Sequence, residues 1–122
     1  TIILDYDGTL VPLQPHPDLA ILTDDVKELL EKLAAYPDID ICVMSGRSLD
    51  SLKKMIPIKS IHLAGSHGME MQMANSDERE DACEQAQFFR TKVPDLVRDL
   101  RENVCQFGGW VEEKGEGIFI LQ

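Results

Sequence analysis

The sequence predicts an α/β fold with a parallel sheet, and three short apolar runs separated by helical patterns carry this prediction. The runs cover residues 1–4, 39–44 and 58–64, and each is followed at once by polar or turn-forming residues. Between them lie two segments with apolar residues three and four positions apart, which is the spacing of an amphipathic helix. The order strand, helix, strand, helix, strand is typical of parallel strands connected by helices.

The elements of this first part follow in order along the chain. Residues 11–22 contain three prolines, which predict an extended connection after the first strand. Thr23 is a suitable N-cap for a helix that starts with two aspartates and ends before Pro37. The second helix follows the second strand and ends before Pro57. The third strand runs into Gly65.

From residue 75 onward the pattern predicts a separate α+β module. Residues 75–84 are polar and acidic, so we expect a loop or linker there. Apolar residues between Ala86 and Val104 repeat at helical spacing, and Pro94 either kinks this helix or starts its second part. Residues 110–114 and 118–121 flank a Gly-Glu-Gly triplet, which predicts a hairpin with a three-residue loop.

Composition and charge exclude several classes of function. The 122 residues contain 12 Lys and Arg against 22 Asp and Glu, which gives a formal net charge of −10. Such a chain is repelled by nucleic acid and by anionic membrane surfaces, so neither is an expected partner. No apolar run approaches the roughly 18–20 residues of a membrane span. Three widely spaced cysteines (Cys42, Cys83 and Cys105) favour a reducing, cytoplasmic location.

The segment Asp5-Tyr6-Asp7-Gly8 carries the strongest chemical signal. Ligands of parallel α/β sheets bind beyond the carboxyl ends of the strands, and two carboxylates stand there, two positions apart. One of them can attack phosphorus, and the other can protonate the leaving alcohol and later accept a proton from water. A divalent cation would offset the repulsion between a carboxylate and a phosphate dianion. The alternative is a capped turn or a calcium loop, but Thr9 and Val11 are not the acidic ligands that a calcium loop needs.

These residues resemble the first signature of the haloacid-dehalogenase-like phosphohydrolases. The resemblance implies that Asp5 is the nucleophile, that Asp7 is the general acid and base, and that Mg²⁺ is held by the Asp5 carboxylate and the Asp7 backbone carbonyl. It also implies that Ser45 binds the transferring phosphoryl group at the end of the second strand, and we expect Gly46 and Arg47 to contribute to the same phosphate-binding site. Ser45 could instead only cap a helix, and Arg47 could equally pair with a surface acid.

Two later segments are similar to the trehalose-6-phosphate phosphatase family. The segment Gly65-Ser66-His67-Gly68-Met69-Glu70 implies that His67 and Glu70 lie in the substrate region at the junction of core and cap. The segment Glu112-Glu113-Lys114 implies that Glu112 and Lys114 contact the sugar from the cap. Without the resemblance, the last pair would be an exposed strand of alternating charge, and His67 a structural hydrogen-bonding residue.

The resemblance covers nearly the whole chain and implies its organisation. Residues 1–74 would be the N-terminal part of an incomplete haloacid-dehalogenase-like Rossmannoid core, and residues 75–122 the first part of an inserted α+β cap. The family's downstream lysine and acidic metal-binding segment would follow beyond Gln122. We therefore expect the 122 residues alone to hydrolyse little or nothing.

The functional prediction is a Mg²⁺-dependent phosphatase that converts trehalose 6-phosphate into trehalose and phosphate through an aspartyl-phosphate. The whole pattern, including Pro15-His16-Pro17 after the first signature, also resembles the C-terminal phosphatase-like region of animal and insect trehalose-phosphate synthases, so a synthase domain in the same chain is an expected partner. Two alternatives remain open. One is another capped sugar-phosphate phosphatase, and the other is a non-catalytic, regulatory phosphatase-like domain.

Overall fold

The computed structural model describes the backbone of residues 1–81, 85–108, 110–114 and 117–121, and the side chains of residues 1–80, 91–104, 106–108 and 111. Within this part the chain separates into two units, residues Thr1–Glu80 and Asp81–Gln122. The boundary predicted from the sequence, between residues 74 and 75, precedes the last strand of the first sheet.

The first unit is built on a mixed sheet with two helices. The strands are β1 (Ile2–Asp5), β2 (Ile41–Met44), β3 (His62–Gly65), β4 (Glu70–Gln72) and β5 (Arg79–Asp81), and they lie side by side in that order. Helix α1 (Asp24–Ala34) connects β1 to β2, and helix α2 (Leu49–Met55) connects β2 to β3. The α/β prediction is confirmed, because β1, β2 and β3 are parallel and joined by helices.

Two features of this sheet differ from the prediction. Strand β4 turns back antiparallel to β3, with Gly65 opposite Glu70, so the sheet is mixed. The prediction of a loop throughout residues 75–84 is wrong, because β5 extends the sheet at residues 79–81. Charged residues disfavour strands by propensity, so here the neighbouring strand outweighs local preference.

The core of the first unit lies under both helices. Leu30 of α1 and the two α2 leucines, Leu49 and Leu52, are buried with the apolar residues of β2 and β3. Cys42 is buried in β2, and this burial raises the pKa of its thiol. In contrast, β1 is the edge strand on its side of the described sheet, and Ile3 is 63% exposed.

The second unit combines one helix with a hairpin. Helix α3 (Gln85–Val104) continues through Pro94, so the helix does not restart there. Strands β6 (Trp110–Lys114) and β7 (Gly117–Leu121) pair antiparallel, which confirms the hairpin, although Gly117 belongs to the strand and not to the loop. Val93 and Val97 of α3 form a small buried cluster with Val111. No helix in the described ranges of the chain is long and apolar enough to cross a membrane.

Candidate active site

The two predicted carboxylates lie where β1 ends. Asp5 is the last residue of the strand and is exposed, and it stands opposite Met44 at the end of β2. The chain then turns tightly, because the Tyr6 carbonyl accepts from the N–H groups of Leu10 and Val11 at 3.0 and 3.1 Å. Gly8 has a φ of +91°, which an L side chain rarely adopts. This turn folds the backbone back directly after Asp7.

Ser45 lies at the same edge of the sheet, directly after β2. Its N–H donates to the Ala64 carbonyl at 3.0 Å, which continues the pairing with β3 one residue beyond the strand. Its hydroxyl oxygen accepts from the Arg47 N–H at 3.2 Å, and the side chain is almost fully buried. Strands β1 and β2 are parallel neighbours, and Asp5 pairs with Met44, the residue before Ser45. Asp5 and Ser45 therefore lie close together at the same edge of the sheet.

Arg47 is directed at Asp7. Its Nε donates to Asp7 Oδ2 at 2.7 Å and its Nη2 donates to Asp7 Oδ1 at 2.7 Å, which is a bidentate ion pair. Nη2 also donates to the Pro17 carbonyl at 2.9 Å. The arginine side chain is only 8% exposed, whereas that of Asp7 is 33% exposed. The hydrogen bonds to Asp7 raise the pKa of Arg47 despite its burial.

The ring of Tyr6 packs against the guanidinium of this ion pair. Its ring is fully buried and lies 5.3 Å from the Arg47 guanidinium carbon, and its hydroxyl donates to the Ala20 carbonyl at 2.7 Å. Burial raises the pKa of Tyr6, and the charge of Arg47 only partly opposes this shift. The sequence pattern assigned no role to Tyr6 or to the Pro17 carbonyl, although a tyrosine between two acidic residues at a strand end was a visible signal.

His67 is held beside the residues that follow β2. Its N–H donates to the Ser45 carbonyl at 3.0 Å, and the Ser66 N–H donates to the Arg47 carbonyl at 2.6 Å. Both residues are left-handed, with φ values of 59° and 50°. The His67 ring covers Gly46 so closely that a Cβ on this glycine would lie 2.7 Å from its Cε1 atom. The structure therefore brings His67 next to the predicted phosphoryl-binding residues.

Glu70 has a different environment from the one expected of a substrate-binding side chain. It is 2% exposed, and its Oε2 accepts from the Leu49 N–H at 3.0 Å. Its Oε1 accepts from the guanidinium of Arg79. Both carboxylate oxygens are thus bound inside the protein, and the direction of this side chain could not be predicted from its motif.

Glu112 and Lys114 lie on β6, where they stand opposite Phe119 and Gly117 of β7. Their side chains lie outside the described residues, and so does the side chain of Trp110. They belong to the second unit, so the structure assigns them a strand and a register only.

The residues at the end of β1 fit a hard divalent cation. Mg²⁺ prefers carboxylate, carbonyl and water oxygens and often takes only one or two protein carboxylates. Asp5 offers an exposed carboxylate, and the ion pair with Arg47 uses the side-chain oxygens of Asp7 but not its backbone carbonyl. Among the residues whose placement is described, no group of three or more His, Cys, Asp or Glu side chains could hold a metal.

Comparison with known proteins identifies relatives of one kind. The chain is 30% identical over 112 residues to a probable trehalose-phosphate phosphatase C of Arabidopsis thaliana, which covers 88% of this chain and 34% of the relative. It is 34% identical over 117 residues to a bifunctional trehalose-6-phosphate synthase/phosphatase of Thermoproteus tenax, covering 96% of this chain and 16% of that protein. The chain therefore spans about a third or less of the length of these relatives.

Solved structures agree with the sequence relatives. The C-terminal domain of trehalose-6-phosphate phosphatase from C. albicans matches with a TM-score of 0.79 and 30% identity, covering 93% of this chain and 39% of that one. A haloacid dehalogenase-like hydrolase from B. subtilis matches with a TM-score of 0.54 over 84% of this chain and 33% of that one. At 16% identity this second match shows the fold alone.

A family model agrees with the sequence resemblance as well. The model described as trehalose-phosphatase matches residues 3–114, which include the carboxylates after β1, Ser45 after β2 and the acidic and basic pair on β6. The chain therefore belongs to the trehalose-phosphatase family and has a haloacid-dehalogenase-like α/β fold.

Proposed function

We propose that the protein carrying this sequence hydrolyses trehalose 6-phosphate to trehalose and phosphate. The observation that carries the proposal is the placement of Asp5 and Ser45 at neighbouring ends of parallel strands, beside an Asp7 that Arg47 holds through two 2.7 Å hydrogen bonds. This arrangement supplies an exposed nucleophile, a polar group for the phosphoryl oxygens and a second carboxylate for proton transfer.

The reaction proceeds in two displacements. In the first, an Asp5 carboxylate oxygen attacks phosphorus, the bond between phosphorus and the sugar oxygen breaks, and a proton from the Asp7 carboxyl group goes to that oxygen. In the second, water attacks phosphorus, Asp7 accepts the proton, and the bond between phosphorus and Asp5 breaks to release phosphate. Both Asp7 oxygens accept from Arg47 in the structure, and each keeps a second lone pair on which Asp7 can carry the proton.

The other predicted residues bind and orient the substrate in this proposal. Ser45 and Gly46 receive the phosphoryl oxygens, and His67 lies beside them. The Asp5 carboxylate and the Asp7 carbonyl would hold Mg²⁺, which would supply positive charge to offset the repulsion between nucleophile and substrate. Residues 1–74 form part of the catalytic core, and residues 75–122 form part of a cap in which Glu112 and Lys114 contact the sugar hydroxyls.

The proposal extends to the surroundings of the protein. A trehalose-phosphate synthase domain in the same chain would supply the sugar phosphate directly, an arrangement supported by the similarity to a bifunctional synthase/phosphatase. We propose a cytoplasmic location, where the three cysteines stay reduced.

The test is phosphate release from trehalose 6-phosphate by the complete protein, with Mg²⁺ present and after its removal by a chelator. We expect turnover that Asp5→Asn reduces by about a thousand-fold or more, because no nucleophile remains. Acid quenching of the wild type should trap phosphate on Asp5, and Asp7→Asn should slow both displacements. Asp18→Asn is the matched control, since this exposed carboxylate pairs with His16 and is not among the proposed catalytic groups.

Other outcomes would favour the alternatives. A complete protein that binds trehalose 6-phosphate but releases no phosphate would be a regulatory domain, and the proposed activity would be wrong. A phosphatase whose preference for trehalose 6-phosphate survives Glu112→Ala and Lys114→Ala would be a different capped sugar-phosphate phosphatase.

A further inference from the structure

The carboxylate of Glu70 is fixed to the backbone that leads out of the candidate phosphoryl-binding residues. Its Oε2 accepts from the N–H of Leu49, the first residue of α2, at 3.0 Å. Leu49 lies two positions after Arg47 and four after Ser45. We call residues 45–49 the phosphoryl segment and residues 65–70 the clamp loop.

The clamp loop is fastened to the phosphoryl segment at several further points. The Ser66 N–H donates to the Arg47 carbonyl at 2.6 Å, and the His67 N–H donates to the Ser45 carbonyl at 3.0 Å. Gly65 lies directly against Leu49, since a Cβ on this glycine would be 2.3 Å from the Leu49 nitrogen. The backbone of the phosphoryl segment is therefore held at its beginning, its middle and its end by one loop.

We propose that Glu70 is a positioning residue that fixes the phosphoryl segment, and not a residue that contacts the sugar. This inference rests on the proposed phosphatase activity and gives one of its motif residues a different task. A side chain that is 2% exposed, with one oxygen on Leu49 and the other on Arg79, acts on substrate only through the groups it holds. On the phosphoryl segment, Glu70 binds the Leu49 N–H, and this segment also contains Ser45 and Arg47, whose side chain binds the Asp7 carboxylate.

Arg79 completes the arrangement from the neighbouring part of the sheet. Its guanidinium binds the Glu70 carboxylate and balances a charge that would otherwise be costly to bury. Arg79 lies on β5, the strand that local propensity did not predict. Strand β5 thus places a positive charge beside Glu70, whose carboxylate binds the last residue of the phosphoryl segment.

Two substrates separate positioning from sugar contact. p-Nitrophenyl phosphate carries a phosphoryl group but no sugar, so a residue that binds sugar does not affect its hydrolysis. We expect Glu70→Ala to lower kcat/KM of the complete protein by about ten- to a hundred-fold for both trehalose 6-phosphate and p-nitrophenyl phosphate, because a small displacement of binding groups costs this much. Glu70→Gln keeps an acceptor for the Leu49 N–H and should recover part of the loss.

Binding of orthophosphate gives a second readout. We expect its inhibition constant to rise in Glu70→Ala by a factor similar to the loss in kcat/KM. Ile61→Val is the control, because Ile61 is equally buried in the same unit and belongs to neither segment. This control should lower stability slightly and leave the inhibition constant unchanged.

The outcomes distinguish this inference from the proposed activity. If Glu70→Ala lowers turnover of trehalose 6-phosphate but leaves p-nitrophenyl phosphate and orthophosphate unaffected, Glu70 contacts the sugar and the inference is overturned. If the wild type hydrolyses neither substrate, the proposed activity is wrong. Amide hydrogen exchange then tests the positioning role of Glu70 without any need for turnover. Faster exchange at residues 45–52 in Glu70→Ala than in Ile61→Val supports positioning, and equal exchange contradicts it.

Discussion

At the scale of single residues, Arg47 joins three parts of the candidate site. It binds Asp7 twice, contacts the Pro17 carbonyl and lies over the Tyr6 ring. The sequence left two roles open, an anionic ligand or an acid of the protein itself, and the structure assigns it the second kind of partner. A phosphoryl group that binds Arg47 would have to compete with Asp7 for it.

We expect Arg47→Met to lower the free energy of unfolding by about 1–3 kcal/mol. The substitution leaves Asp7 without its partner in a partly buried place, where an unpaired charge is costly. Arg98→Met is the matched control, because Arg98 pairs with Asp95 and Asp99 while all three side chains are mostly exposed. Exposed pairs contribute little, so the control should change stability by less than about 0.5 kcal/mol. Urea denaturation measures both, and equal effects would contradict a specific role for the Arg47 pair.

At the scale of secondary structure, the contact between β3 and α2 depends on a residue without a side chain. Gly65 ends β3 with its Cα against the backbone of Leu49 and Ser48, so helix and strand approach more closely than any other residue would permit. This close approach sets the distance across which Glu70 reaches the Leu49 N–H.

We expect Gly65→Ala to cost about 1–3 kcal/mol of unfolding free energy, because backbone must move to admit the new methyl group. Gly46→Ala provides the comparison within the same region. Its Cβ would meet only the ring of His67, an exposed side chain that can rotate away. We expect this second change to stay within about 1 kcal/mol in either direction. Thermal or denaturant unfolding of both variants tests the ranking, and a larger loss in Gly46→Ala would contradict it.

The elements with strong local patterns could be predicted, and those defined by pairing could not. Helix α1 and the strands β1 and β2 follow from apolar spacing, a suitable cap and prolines near the ends. Strands β4 and β5 have three residues each, which is too short for an alternating pattern to be recognised. Their strand conformation comes from the neighbour on the sheet, which no local window of the sequence contains.

The candidate site shows the same division between local and long-range information. The positions of Asp5 and Ser45 could be predicted, because Asp5 ends one strand, Ser45 directly follows the next, and parallel strands end at one edge. The partner of Arg47 could not, since Asp7 lies 40 positions earlier in the chain. Glu70 was recognised by its place in a motif, which does not show whether its side chain faces the site or the core.

At the scale of the whole molecule, the first unit holds the candidate nucleophile but few ligands for a metal. The chain matches about a third or less of the length of its relatives, and no cluster of three metal-binding side chains occurs in the described ranges. Metal affinity depends strongly on the number of charged ligands.

We therefore expect the 122-residue polypeptide alone to bind Mg²⁺ with a Kd of about 1 mM or weaker. Isothermal titration calorimetry measures this affinity, with Asp50→Asn as a control because Asp50 is an exposed carboxylate on α2. Micromolar binding that disappears in Asp5→Asn but persists in Asp50→Asn would contradict the expectation and would show a complete metal site within these residues.

The left-handed turn at Ser66, His67 and Gly68 has a consequence for engineering. An L residue in this conformation costs about 1–2 kcal/mol, so glycine at either of the first two positions would remove this cost and raise the free energy of unfolding. The same exchange would free the backbone that carries the hydrogen bonds to Ser45 and Arg47 and remove the ring that covers Gly46. A search for heat-resistant variants would therefore favour glycine here, and a search for faster catalysts would reject it.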